Sequence, residues 1–185
     1  MGVGSLNRAV FFDRDGVLND AIVRDGVPHP PGSLEELRVV PSARRAVDRV
    51  REAGYLAVAI TNQPDAARGL TSIETIRAIN ARLEREAGLD AVYTCFHDDG
   101  DECACRKPKP GLLVRAAEEH DLDLQRCYVI GDRVKDVECG RAAGCTTIFL
   151  DFHYGETVLP VDADITAASL DEAIGAILVR SKAGA

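Results

Sequence analysis

The stretch Ala9-Val10-Phe11-Phe12-Asp13-Arg14-Asp15-Gly16-Val17-Leu18-Asn19-Asp20 runs four apolar residues straight into two carboxylates separated by one arginine. In extended backbone, residues i and i+2 point to the same side, so Asp13 and Asp15 would project together from the end of a buried strand. Two ionised carboxylates that close repel unless a cation or a shared proton intervenes. The pattern therefore suggests a bound metal. A calcium loop does not fit, because Gly16 comes too early, Val17 sits where an oxygen ligand is needed and no glutamate closes the loop.

Outward from this strand, apolar runs alternate with amphipathic segments. Tyr55 to Ile60 (YLAVAI) is a continuous apolar run of the kind buried on both faces of a parallel sheet. Shorter strands are expected at 91–94, 127–130 and 146–150. Helices are expected at 42–53, capped by Ser42 and ended by Gly54, and at 71–87, where Thr71 and Glu74 suggest a capping box. Three further helices are expected at 111–120, 134–143 and 169–180, the last capped by Ser169. The Gly/Pro-rich stretch 25–33 (DGVPHPPGS) reads as an irregular flap. Repeated βα units imply an α/β fold: a three-layer α/β/α sandwich on a mainly parallel, Rossmann-like sheet, with ligands at the carboxyl ends of the strands. Asp13 and Asp15, Thr61-Asn62-Gln63, and Gly131-Asp132 each follow an apolar strand and should meet there. Any one group alone reads as a turn or cap; three at successive strand ends point to a site.

A chain of 185 residues with 46% hydrophobic content fits one domain, 1–185, with a sizeable core. The net charge of -8 and the scattered arginines give no footprint for nucleic acid. No apolar run approaches the roughly 20 residues that span a bilayer. The start lacks a signal-peptide core, and Leu6 stands where a myristoylation signal after Gly2 needs Ser or Thr. The expected setting is cytoplasmic and the expected state a monomer.

Of six cysteines, three crowd with a histidine into Cys95-Phe96-His97-Asp98-Asp99-Gly100-Asp101-Glu102-Cys103-Ala104-Cys105. Cys95, His97, Cys103 and Cys105 make a Cys₃His set suited to tetrahedral, structural Zn²⁺, with reduced thiols or one disulfide as the plainer alternative. Arg106 and Lys107 follow at once, so a loop pinned by zinc at 95–105 would fix their approach to the strand-end cleft.

Asp13-Arg14-Asp15-Gly16-Val17, Thr61, Lys107, and Gly131-Asp132 with Asp136 resemble, in order, the four motifs of the haloacid dehalogenase superfamily of phosphohydrolases. The resemblance spans nearly the whole chain. It implies that Asp13 is the nucleophile that becomes an aspartyl phosphate and that Asp15 is the general acid and base. It implies that Thr61 and Lys107 hold the phosphoryl oxygens. Asp132 would join Asp13 and the Asp15 main-chain carbonyl around Mg²⁺, with Asp136 in support. The cysteine loop and the RKP run resemble the small subgroup without a cap domain that contains heptose bisphosphate and histidinol-phosphate phosphatases. TNQPDAARG and RKPKPG are closer to the heptose enzymes, although Val17, Asp65 and Ala66 depart from their usual residues. The implied substrate is a small phosphorylated sugar, a heptose 1,7-bisphosphate losing its 7-phosphate, with Asn62, Arg68, Arg106 and Lys107 binding it. A zinc-stabilised binding module without catalysis is the alternative of a different class; it would require the loss of Asp13, Asp15, Lys107 or Asp132, and all four are present.

Overall fold

The computed structural model describes residues 6–24, 27–152 and 162–183. Gly2 and residues 25–26 of the expected flap lie outside them. Six parallel strands form the central sheet: β1 (Ala9–Asp13), β4 (Leu56–Asn62), β5 (Ala91–Cys95), β6 (Tyr128–Gly131), β7 (Thr146–Leu150) and β8 (Ile165–Ala167), in the order β5-β4-β1-β6-β7-β8. The chain winds from β1 out to β5 on one side, then returns past β1 to build β6, β7 and β8 on the other. The reversal at β1 opens a crevice at the carboxyl ends of β1, β4 and β6, the usual place for a ligand in an open α/β sheet.

Alternation along β1 sorts the two cores. Val10 and Phe12 face a cluster with Ala46, Val47 and Val50 of α1 (Ala43–Glu52), Leu83 of α2 (Ile73–Ala87) and Ile174 and Ile177 of α5 (Leu170–Ala183). Ala9 and Phe11 face Leu112, Leu113 and Ala116 of α3 (Gly111–His120) and Cys139 of α4 (Val134–Ala142). Both layers of a three-layer sandwich are thus filled from one strand of period two.

Several local expectations change. Within the stretch expected to lack regular structure, β3 (Val27–His29) pairs antiparallel with β2 (Ile22–Arg24). A two-stranded ribbon tolerates Pro28 because both its strands are edges, where a residue without an N–H can face away from its partner. Ser42 makes no side-chain cap bond to α1, since its own backbone is already helical (φ -84, ψ -12) and not in the extended form a cap requires. Ser72, not Thr71, caps α2: its backbone is extended and its hydroxyl accepts the Thr75 N–H at 3.1 Å. Ser169 does cap α5, accepting from the Glu172 N–H at 3.2 Å. Strand β8 had no distinguishing run of apolar residues, and its pairing with β7 creates it.

Candidate functional site

Asp13 ends β1, and its Oδ1 receives a hydrogen bond from Lys107 Nζ at 2.6 Å. Lys107 gives a second to Asp136 Oδ1, also at 2.6 Å, and a third to the Ile60 carbonyl of β4 at 3.3 Å. The lysine is buried, so its charge is tolerated only because two carboxylates surround it. Burial works to lower its pKa, but Asp13 and Asp136 more than offset this and hold it protonated. Asn62 fixes the lysine from behind. Its Oδ1 accepts the Lys107 backbone N–H and its Nδ2 donates to the Lys107 carbonyl, each at 3.0 Å. The amide expected to bind substrate thus clamps the peptide unit that carries Lys107.

Asp132 follows β6 and is buried, yet among the described residues neither of its carboxylate oxygens has a hydrogen-bond partner. Arg133 Nε lies 3.6 Å away, an ion-pair distance and no hydrogen bond. Oxygen atoms of Asp13, Asp132 and Asp136 all fall within 4.8 Å of one another. Burial first, and then the Asp136 carboxylate, push Asp13 up to about 8 although Lys107 pulls the other way. The same two causes push Asp132 up to about 6. Three buried carboxylates with one lysine form an electrostatically strained group that a hard dication would relieve, and oxygen donors are what Mg²⁺ takes. The Asp15-Gly16 backbone approaches here as well. Gly16 has φ +91, and a Cβ on it would lie 2.5 Å from Asp132 Oδ2, so only glycine lets the chain pass this close. Gly131 plays the same part for α4, where a Cβ would strike Asp136.

Asp15 lines the same cavity as Asp13 but stands apart from the three-carboxylate group. Arg14, between them, turns into the protein and is fully buried. Its guanidinium donates to Asp15 Oδ1 from NH2 at 2.9 Å and to Asn80 Oδ1 of α2 at 2.9 Å. Asn80 passes the chain on to the Thr94 hydroxyl of β5 at 2.8 Å. Asp15 also accepts from Asn19 Nδ2 at 3.0 Å and from Gln63 Nε2 at 2.7 Å. The repulsion that the opening sequence implied is thus resolved by giving each aspartate its own cation, Lys107 for Asp13 and Arg14 for Asp15.

Cys95 ends β5, and its Sγ lies 3.2 Å from Cys105 Sγ and 3.7 Å from Cys103 Sγ. His97 Nδ1 is 3.6 Å from Cys95 Sγ and 3.3 Å from Cys105 Sγ. These separations are too long for disulfides, and all six thiols are unpaired. They match the edges of a tetrahedron around one soft cation with ligands at about 2.0 to 2.3 Å.

A cavity of about 470 Å³ opens above these groups, lined by Asp13, Asp15, Thr61, Asn62, Lys107 and Asp136 and by the expected arginines Arg68 and Arg106. The arginines are not bare. Arg68 makes two hydrogen bonds to Asp98 at 2.7 Å, and Arg106 makes one to Asp99 at 2.7 Å. Sequence reasoning missed several residues here. His29 and Pro30, at the end of the β2–β3 hairpin, and Arg133 and Lys135 also line the cavity. A signal existed for the basic pair: cations at the start of a helix oppose its dipole, which suits an anion nearby.

The HAD-hydrolase-like family model matches residues 104–154. A D-glycero-D-manno-heptose-1,7-bisphosphate 7-phosphatase of Thermosynechococcus vestitus is 38% identical over 82% of this chain and 82% of its own. The D-glycero-beta-D-manno-heptose-1,7-bisphosphate 7-phosphatase of Bordetella bronchiseptica is 34% identical over 75% of this chain and 77% of its own. The crystal structure of a D,D-heptose 1,7-bisphosphate phosphatase from B. bronchiseptica, complexed with magnesium and phosphate, superposes with a TM-score of 0.79 at 28% identity, covering 95% of this chain and 99% of that one. A HAD-like phosphatase structure from Mesorhizobium loti gives 0.76 at 29% identity, over 96% of this chain and 87% of that one. With its strand-end carboxylates, buried lysine and open cavity, the chain belongs to the haloacid dehalogenase-like hydrolases, as a phosphoric monoester hydrolase of the family that includes the heptose 1,7-bisphosphate 7-phosphatases.

Proposed function

We propose that this chain is a Mg²⁺-dependent phosphatase that removes the 7-phosphate of D-glycero-D-manno-heptose 1,7-bisphosphate through an aspartyl phosphate on Asp13. The observation that carries the reading is Asp132, a buried carboxylate with no hydrogen bond to either oxygen among the described residues, within 4.8 Å of Asp13, which lines the cavity. Asp13, Asp132 and the Asp15 main-chain carbonyl would hold the cation. Bound there, Mg²⁺ supplies positive charge to the phosphoryl oxygens and keeps Asp13 ionised.

The chain's own residues do the rest. Lys107 and the Thr61 hydroxyl bind the transferred phosphoryl group. An Asp13 oxygen attacks phosphorus as the bond to the sugar oxygen breaks, and Asp15 gives that oxygen its proton. Water then attacks the aspartyl phosphate, Asp15 takes the water's proton, and the Asp13–phosphorus bond breaks to release inorganic phosphate. Arg68, Arg106, Arg133 and Lys135 line the cavity around the reacting group and favour a compact sugar with a second phosphate over the cationic amine of histidinol phosphate. A Zn²⁺ ion held by Cys95, His97, Cys103 and Cys105 would keep the 95–105 loop, and so Arg106 and Lys107, in place; its role is structural because four protein ligands leave no open position. The chain acts as one hydrolase domain, 1–185, a cytoplasmic monomer whose unpaired thiols suit a reducing setting.

A phosphate-release panel tests the reading, with heptose 1,7-bisphosphate, fructose 1,6-bisphosphate and histidinol phosphate in Mg²⁺ buffer and phosphorus NMR to identify the product. The expected product is the heptose 1-phosphate. Preferential turnover of histidinol phosphate, or turnover unchanged by chelating Mg²⁺, would overturn it.

A further inference from the structure

Gln63 touches two members of the proposed machinery at once, and nothing in the reaction described so far uses it. It is 1% exposed. Its Nε2 lies 2.7 Å from Asp15 Oδ2 and 2.8 Å from Thr61 Oγ1, while its backbone N–H donates to the Cys95 carbonyl at 2.7 Å. The residue is thus held at its backbone by the strand that carries the first cysteine ligand and at its side-chain amide by Asp15 and Thr61.

The direction of the amide follows from chemistry. The NH₂ end faces Asp15 and Thr61, and its two protons divide between Asp15 Oδ2 and Thr61 Oγ1. The Thr61 oxygen is then an acceptor toward Gln63, leaving its own proton to be donated into the cavity that it lines. A second consequence concerns Asp15. Its Oδ1 receives Arg14 NH2 at 2.9 Å, Asn19 Nδ2 at 3.0 Å and Arg14 Nε at 3.1 Å; its Oδ2 receives Gln63 and, more weakly, Arg14 Nε at 3.2 Å. Oδ1 is crowded by donors, so the proton that Asp15 gives and takes belongs on Oδ2, the oxygen that Gln63 holds.

The geometry points to Gln63 as a positioning residue that aims the proton-carrying Asp15 Oδ2 and the Thr61 hydroxyl at the same phosphoryl ester. This deepens the phosphatase reading and rests on it. Proton and bond balance are those of that reaction: the Oδ2 proton goes to the leaving oxygen as its bond to phosphorus breaks, and returns from water as the Asp13–phosphorus bond is cut.

A misaimed proton donor slows phosphoryl transfer from esters with poor leaving groups and spares transfer from those that leave without a proton, while hydrolysis of the aspartyl phosphate, common to both, slows equally; the first turnover separates the two steps. The test therefore compares an alkyl ester, the sugar phosphate, with p-nitrophenyl phosphate in Gln63→Met and Gln63→Glu. In Gln63→Met, the first-turnover rate on the sugar phosphate should fall about a hundredfold, and the ratio of sugar to nitrophenyl first-turnover rates should drop by at least about tenfold. In Gln63→Glu, where only the protonated side chain can donate to Asp15, sugar turnover relative to the unmodified protein should recover as pH falls. Equal losses of first-turnover rate on both esters in Gln63→Met, or a loss in Gln63→Glu that is independent of pH, would reduce Gln63 to a packing residue and overturn the inference. If Gln63→Met fails to fold, the pH profile of Gln63→Glu decides alone. The unmodified protein is run on both esters in parallel: no turnover there sinks the phosphatase reading and this role with it, whereas an unchanged ratio in an active variant sinks this role only.

Discussion

Asp98 and Arg68 are joined by two hydrogen bonds of 2.7 Å, one from Nε and one from NH2, which tie the loop after β4 to the cysteine loop after β5. Those bonds hold the half-buried Asp98 carboxyl down to about 2, so the pair stays charged across the whole working range of pH. Asp98 also lies 3.8 Å from Arg106. One carboxylate therefore links both arginines that were expected to face the substrate, and an incoming anion meets side chains already held in place.

That arrangement ranks the two arginines. Arg106 is the better seated, its side chain 12% exposed against 43% for Arg68. Arg106→Ala should raise KM for a sugar bisphosphate about ten- to a hundredfold, the weight of one or two charge-assisted hydrogen bonds, and Arg68→Ala less. Turnover of a small generic phosphate ester should change far less, because the lost contacts lie outside the transferred group. Parallel steady-state assays on the two substrates check this, and equal losses would mean that the arginines do not read the sugar.

Asp13→Asn keeps the shape of the side chain and removes its charge. Turnover should fall by about a thousandfold or more while the fold is retained, as circular dichroism would report. Near-normal phosphate release from this variant would exclude Asp13 as the nucleophile.

The elevated Asp13 and Asp132 carboxyls give a pH dependence with a definite sign. Their folded pKa values, about 8 and about 6, lie above the unfolded carboxylate value, so the metal-free folded chain binds more protons than the unfolded one. Their contribution to stability is complete below about pH 4 and is lost as pH rises through about 6 and then about 8. Mg²⁺ competes with those protons, so its stabilising effect should grow across the same window. Melting curves with Mg²⁺ and with chelator should differ more at about pH 8.5 than at about pH 5.5. A gap that narrows as pH rises would contradict this assignment of the carboxylates.

Metal analysis of freshly purified protein should return one zinc per chain without added metal. Cys103→Ser should lose it. Even a loss of about 3 kcal/mol would lower the melting temperature by about 10 °C in a chain of this size, and activity should fall as Arg106 and Lys107 lose their support. A disulfide among Cys95, Cys103 and Cys105 in untreated protein would argue against the site.

Much of this was legible along the chain. Apolar runs buried on both faces, each ending in polar residues, specify strands of a parallel sheet, and the carboxyl ends of such strands converge wherever the winding reverses. Asp13, Thr61 and Asp132 could therefore be assigned to one strand-end cleft from the pattern alone, the role of Lys107 came from the family resemblance, and the four zinc-type ligands fall within eleven residues, where spacing alone brings them together. What the chain did not disclose was which partner each polar side chain would meet. Arg14 turns inward to Asn80, 66 residues away; Gln63 reaches Asp15 across 48; Arg68 is taken by Asp98 across 30. Local pattern encodes period and polarity, which depend on neighbours a few residues off. A hydrogen bond between distant residues depends on where whole strands and helices come to rest, to within a few tenths of an ångström, and only the packed tertiary structure decides that.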